Sequence, residues 1–197
     1  MEQKSILNSY LTSGTISLSK NEVKTREYIK LAGELLECKK CMLRVEHPWP
    51  GSGNIDSKVM ILGEAPSPSR KSFENFSEKS REVLDKMLQE LGLDRSRVYI
   101  TNAIKCQLVN VSKNQRENIL DNCLIYLKRE IEIVQPRVIL ALGDTARKAL
   151  LKVRPRVEAI FVHVELPHPM VVVYGSMTLK EYLDLVKKKC GLIKYLI

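Results

Sequence analysis

The sequence predicts an α/β fold: a three-layer α/β/α sandwich around a mainly parallel central sheet. Two observations lead there. Short apolar runs at Val59–Leu62, Val98–Thr101 and Val138–Leu142 alternate with longer amphipathic stretches, and a βαβαβα rhythm places helices on both faces of a parallel sheet. The chain's 197 residues, 44% of them hydrophobic, also suffice for one domain with a sizeable core.

Residues 1–25 are polar, rich in Ser, Thr, Asn and Lys, and are expected to extend a domain that occupies 26–197. From Val23 to Leu36 the positions Tyr28, Ile29, Leu31, Ala32, Leu35 and Leu36 recur at helical spacing, and this helix delivers the chain to Cys38 and Cys41. His47 to Asn54 holds too much Pro and Gly for regular structure and is expected to be a loop. Val59–Leu62 is the first strand, Gly63-Glu64-Ala65-Pro66 a turn, and Ser77 to Leu91 a helix. Val98–Thr101, Gln115 to Val134, Val138–Leu142 and Asp144 to Leu151 continue the alternation, with Asp144 the expected N-cap of its helix. Ala159 to Leu166 and Val171 to Tyr174 are expected to be further strands. Thr178-Leu179-Lys180-Glu181 is a capping-box signature that opens a C-terminal amphipathic helix.

The formal charge of +9, from 32 Lys and Arg against 23 Asp and Glu, suits a polyanionic partner. No run of 18 apolar residues occurs, and the N-terminus lacks a basic segment followed by an apolar one, so a cytoplasmic protein without membrane association is expected. In that compartment five cysteines stay reduced, and metal ligation becomes the leading use for them. Two residues separate Cys38 from Cys41, 64 separate Cys41 from Cys106, and 16 separate Cys106 from Cys123. Such a set closes only in three dimensions and suits zinc as well as an iron–sulfur cluster. Cys190, on the last helix, is expected to be a buried free thiol.

In open α/β sheets ligands bind beyond the carboxyl ends of the strands. Glu64 follows the first strand, Asn102 the second, Gly143 the third and Pro167-His168-Pro169 the fourth, so a carboxylate, an amide and an imidazole share one rim. An amide offers both a donor and an acceptor and can pair with the edge of a nucleobase.

Taken in order, Cys38-x2-Cys41, Gly51-Ser52-Gly53-Asn54, Val59 to Pro66, Val98 to Cys106, Cys123, Gly143-Asp144-Thr145-Ala146 and His168-Pro169 resemble the family 4 uracil-DNA glycosylases. These are the iron–sulfur branch of the uracil-DNA glycosylase superfamily. The resemblance implies that Cys38, Cys41, Cys106 and Cys123 ligate a 4Fe–4S cluster that orders DNA-facing loops. It also implies that Asn102 reads the uracil edge, that Phe76 stacks on the flipped ring, and that His168 stabilises the charge growing on the departing base. Glu64 is the candidate for positioning water or base.

The chain departs from that family in three places. Ser67-Pro68-Ser69-Arg70-Lys71 replaces the usual Gly and acidic cluster, which makes Arg70 and Lys71 candidate phosphate contacts. Phe76 is displaced by about one position from the usual Pro-Phe-Val-Gly motif, with Asn75 and Ser77-Glu78 in place of its neighbours, so Phe73 is a rival stacking residue. Only 24 residues separate Gly143 from His168, and Met170 to Tyr174 replaces the segment that normally enters the DNA groove, leaving Met170 or Val171 to wedge the stack. The expected activity is that of a monomeric, monofunctional glycosylase acting on DNA that contains uracil or another deaminated base. The alternatives are a catalytically reduced, cluster-containing DNA-binding paralogue and a damage-specific nuclease on the same fold.

Overall fold

The computed structural model describes residues 19–41, 48–67 and 75–197. In chain order these form α1 (Lys20–Leu36), β1 (Ser52–Gly53), β2 (Val59–Gly63), α2 (Glu78–Glu90), β3 (Val98–Asn102), α3 (Lys113–Val134), β4 (Val138–Leu142), α4 (Asp144–Val153), β5 (Val162–Leu166), α5 (Met170–Val173) and α6 (Leu179–Cys190). The strands make one sheet in the order β1-β3-β2-β4-β5. β2 to β5 are parallel, with Ile61 facing Ile100 on one side and Leu140 on the other, and β1 adds antiparallel to β3. The expected α/β/α sandwich with a mainly parallel sheet is therefore what the chain adopts.

β2, β3 and β4 are buried at every position, as strands covered on both faces must be. Side chains alternate between the faces. Met60, Leu62, Tyr99, Ile139 and Ala141 meet α3 and α4 through Leu124, Leu127, Ile131 and Leu150. Val59, Ile61, Val98, Ile100, Val138 and Leu140 meet α2 and α6 through Leu84, Met87, Tyr182 and Val186. Leu31 and Leu35 of α1 pack beside Tyr126 of α3 on the outside of the first layer.

Three helices start on reciprocal capping boxes, Ser19 with Glu22, Ser112 with Gln115 and Thr178 with Glu181. α1 accordingly begins at Lys20, inside the stretch expected to be an extension. Residues 52–53, expected in a loop, form the short edge strand β1, and β5 is confined to Val162–Leu166. Two expectations are corrected. The N-cap of α4 is Gly143, with Asp144 the first helical residue, because the cap has φ +91° and a side chain there would press on the Cβ of His168. Val171 to Tyr174 is not a strand: the three valines belong to the short helix α5 and Tyr174 is its C-cap. Its β-branched residues favour a strand, yet Val171 and Val172 donate to the carbonyls of His168 and Pro169 and all three valines pack on the α2–α6 core.

Among the described residues one ion pair is fully enclosed. Lys105 Nζ donates to Glu130 Oε2 at 2.5 Å, to Thr101 Oγ1 at 2.8 Å and to the Asn102 carbonyl at 2.7 Å. Glu130 also accepts from Thr101 Oγ1 and from the Gly51 N–H, each at 2.7 Å, while Trp49 N–H donates to the Lys105 carbonyl. A Cβ at Gly51 would strike the Tyr99 ring, so only glycine brings its N–H this close. Breaking one half of such a pair leaves an uncompensated charge inside, at a cost of about 3–5 kcal/mol. Lys105→Met should lower stability by that amount in urea denaturation, and adding Glu130→Leu should recover part of it.

Candidate active site and cysteine cavity

The chain passes from β2 to β3 on one side and then from β3 to β4 on the other side of β2. That reversal opens a crevice at the carboxyl ends of these strands, the usual ligand position in such sheets. The loops around it are fixed by backbone bonds from Ala103 N–H to the Gly63 carbonyl, Ile104 N–H to the Glu64 carbonyl and Gly143 N–H to the Leu166 carbonyl.

Asn102, last in β3, is 2% exposed. Its Nδ2 donates to the backbone carbonyl and to Oδ1 of Asn75, both at 3.1 Å. Its Oδ1 is buried and has no partner among the described residues. Only glycine at position 63 lets Asn102 Oδ1 and the Phe76 ring approach the backbone this closely, since a Cβ there would collide with both. Phe76 lies nearly parallel to His168, with ring centroids 5.7 Å apart and planes 26° apart. The structure therefore brings Asn102, Phe76 and His168 together.

The Met170 N–H donates to His168 Nδ1 at 3.2 Å. In the neutral ring the proton then resides on Nε2. Burial holds the imidazole below its ordinary value of 6.5, and the Glu64 charge partly opposes this. Glu64 Oε1 pairs with Arg116 near the start of α3 at 2.6 Å. The Met170 sulfur accepts from Ser80 Oγ at 2.7 Å, which seats this side chain against α2. Arg70, Lys71 and Phe73 lie outside the described residues.

On the other side of Lys105, Cys38, Cys41, Cys106 and Cys123 line one cavity of about 30 Å³ with Lys40, Asn122 and Tyr126. Cys38 and Cys41 follow α1, Cys106 follows β3, and Cys123 faces in from α3. Among the described residues no three His, Cys, Asp or Glu side chains are placed to share a single metal ion. Burial, aided by the neighbouring sulfurs, pushes the Cys106 thiol up to about 12, and burial pushes Cys123 up to about 11. Asn122 Nδ2 donates to Cys41 Sγ at 3.5 Å. Cys190 is a separate buried thiol in the α2–α6 core.

The family model of the uracil DNA glycosylase superfamily matches residues 50–188, a span that holds the crevice and two of the four cavity cysteines. The chain belongs to this superfamily. A type-4 uracil-DNA glycosylase of Archaeoglobus fulgidus is 30% identical over 169 residues, covering 76% of this chain and 84% of that protein. Type-4 uracil-DNA glycosylases of Pyrobaculum aerophilum and Sulfurisphaera tokodaii are 37% identical over 130 residues and 35% identical over 123. These matches cover 64% and 60% of this chain, and span 66% and 56% of the respective relatives. The superfamily resemblance drawn from the motifs is thus borne out.

Sequence reasoning missed Asn75 and Arg116 as part of the crevice. Asn75 was noted only as a departure beside Phe76, and Arg116 reaches Glu64 across 52 residues with no local pattern to signal it.

A histidine whose native pKa is depressed contributes stability that is present above the unfolded value and is lost as pH falls from there through the folded pKa. A titration followed by NMR should place the His168 midpoint below 6.5, with nitrogen shifts of the Nε2-protonated tautomer above it. Wild-type stability should decline as pH falls from about 6.5, and less so in His168→Gln.

Proposed function

We propose that this protein hydrolyses the N-glycosidic bond of uracil in DNA and leaves an abasic site. The observation that supports this reading is the buried, unpartnered acceptor of Asn102 beside Phe76 and His168. A buried acceptor without a donor is costly, and the ring N–H of uracil supplies one. A base within a duplex hides its glycosidic bond, so it must be turned out into a pocket that stacks it and pairs with its edge. Phe76 offers the stacking face and Asn102 the edge contact.

As the bond breaks, the sugar becomes cation-like and uracil leaves as an anion. His168 presents a neutral Nε2–H to that anion, and one such donor is worth about 10²–10³ in rate. Glu64 positions the attacking water or the base, with its carboxylate steadied by Arg116. The net charge of +9 favours the DNA backbone, Arg70 and Lys71 would contact phosphate, and Met170, which follows His168-Pro169, would leave its seat on α2 to serve as the wedge. The protein acts as a monomer on DNA that carries uracil or another deaminated base.

Cys38, Cys41, Cys106 and Cys123 would hold a 4Fe–4S cluster. Soft thiolates from three chain segments fit such a group, and thiols spread around a cavity suit it better than the tight tetrahedron of one zinc ion. When bound it cross-links those segments and takes no part in breaking the bond.

Protein purified without oxygen should be brown and hold roughly four irons per chain; stoichiometric zinc without iron would refute the cluster. Cys123→Ser should lose iron and stability together, and Cys190→Ser should keep both.

A uracil-containing oligonucleotide should break only after alkali treatment. Direct breakage would mark a nuclease, and intact DNA a binding protein. His168→Ala should slow single-turnover excision by about two to three orders of magnitude while binding changes little.

A further inference from the structure

The ion pair at the rim of the crevice carries an inference that rests on the excision reading and deepens it. Arg116 Nη1 donates to Glu64 Oε1 at 2.6 Å, and the two side chains are 44% and 34% exposed. Among the described residues neither side chain makes a second hydrogen bond or ion pair. A guanidinium carries its N–H groups in a planar fork, so the edge formed by Nε and Nη2 is left over, as is Glu64 Oε2. Arg116 shares the first turn of α3 with Lys113, and that turn holds no acid. Two cations at the positive end of a helix dipole are unfavourably placed. Glu64, 52 residues earlier in the chain, answers one of them; a phosphate beside the same turn would answer both. The pair also lies beside the reacting groups, since the Glu64 charge acts on the His168 imidazole. A nucleotide turned out into the crevice draws its flanking phosphates to this rim.

We propose that Arg116 is a positioning residue that bridges Glu64 to a DNA phosphate flanking the extruded nucleotide. One end of the guanidinium holds Oε1, the open edge takes two phosphate oxygens, and Oε2 remains for the water or the base. The strand's own backbone thereby sets the carboxylate in register with the nucleotide. Lysine cannot replace this residue. An ammonium meets a phosphate as a point charge, but it has no planar fork with which to span both anions.

The test uses the cluster-loaded full chain with two duplexes, one carrying a 2′-fluoroarabino uracil nucleotide that is bound and not hydrolysed, the other ordinary uracil. On the first, Arg116→Gln should reduce the slope of log affinity against log salt by about 0.9, the share of one phosphate, while Arg116→Lys keeps the wild-type slope. On the second, both variants should slow single-turnover excision by roughly 10- to 100-fold, the scale of a catalytic group displaced by about an ångström. In a Glu64→Gln background Arg116→Lys should change the rate by less than about 2-fold, because Arg116 acts on the rate through Glu64. With glutamate carboxyls labelled with ¹³C, the Glu64 signal, assigned by its loss in Glu64→Gln, should stay distinct from its position in Arg116→Gln when the uncleavable duplex is added. Arg116 is a surface residue, and retained cluster absorbance with a cooperative melt certifies the fold of each variant. An unchanged salt slope in Arg116→Gln, wild-type excision by Arg116→Lys, or an undiminished effect of Arg116→Lys in the Glu64→Gln background would overturn the bridge. So would movement of the wild-type carboxyl signal to the Arg116→Gln position, which would mean that the guanidinium leaves Glu64 for the phosphate. Ordinary uracil DNA left intact by wild type sinks the excision reading, and the slope and the carboxyl signal still decide the bridge. Breakage with an unchanged slope does the reverse.

Discussion

The enclosed Lys105–Glu130 pair is the constraint on which the rest of the molecule depends. Lys105 lies between Asn102, whose carbonyl it bonds, and Cys106, the first cavity cysteine beyond β3. Glu130 brings in α3, the helix that carries Cys123, and through the Gly51 N–H it also fixes the loop preceding β1. A buried charge pair does not make a fold more stable than well-packed hydrocarbon would, but it tolerates few alternative arrangements. Crevice and cavity are thus two sides of one polar knot, and neither can shift without leaving a charge unpaired.

Around that knot the crevice combines opposite hydrogen-bonding roles. Asn102 leaves an acceptor free because its NH₂ is turned to the Asn75 carbonyl, and His168 leaves a donor free because a backbone N–H occupies its other nitrogen. In each case a neighbour removes the ambiguity of an amphoteric side chain. On the proposed reading, the site needs no movable proton of its own to offer uracil an acceptor at the ring nitrogen and a donor at a carbonyl. Preorganised dipoles of this kind are most effective where water is excluded, and both side chains are largely buried.

Much of this was legible in the sequence because burial on both faces writes continuous apolar runs, and β2, β3 and β4 are such strands. Glu64, Asn102 and His168 were legible as polar residues standing just past those runs. The run Val171–Val173 misled because side-chain branching describes local preference, while the contacts that shape α5 come from α2 and α6. Glu130 did leave a mark, a carboxylate within the inward series Leu127, Ile131, Val134, but only Lys105 on another element explains it. Asn75 and Arg116 left none, since their roles arise where separate segments cross. The four cysteines announced a shared purpose by spacing, and the fold supplied the shared cavity.

The two sides of the crevice hang from unequal supports. Asn102 ends a strand flanked by neighbours on both edges and buried throughout, whereas His168 follows β5, which among the described residues is an outermost strand paired with β4 alone and is partly exposed along most of its length. Outer strands open at lower free energy than central ones. On the proposed reading, fraying of β5 would carry the imidazole away while the amide persists, so the chain would pass through states that hold a base and cannot cut it. Heat, denaturant or a truncating lesion near β5 would populate those states first, and tight capture without turnover would be the earliest sign of a failing molecule.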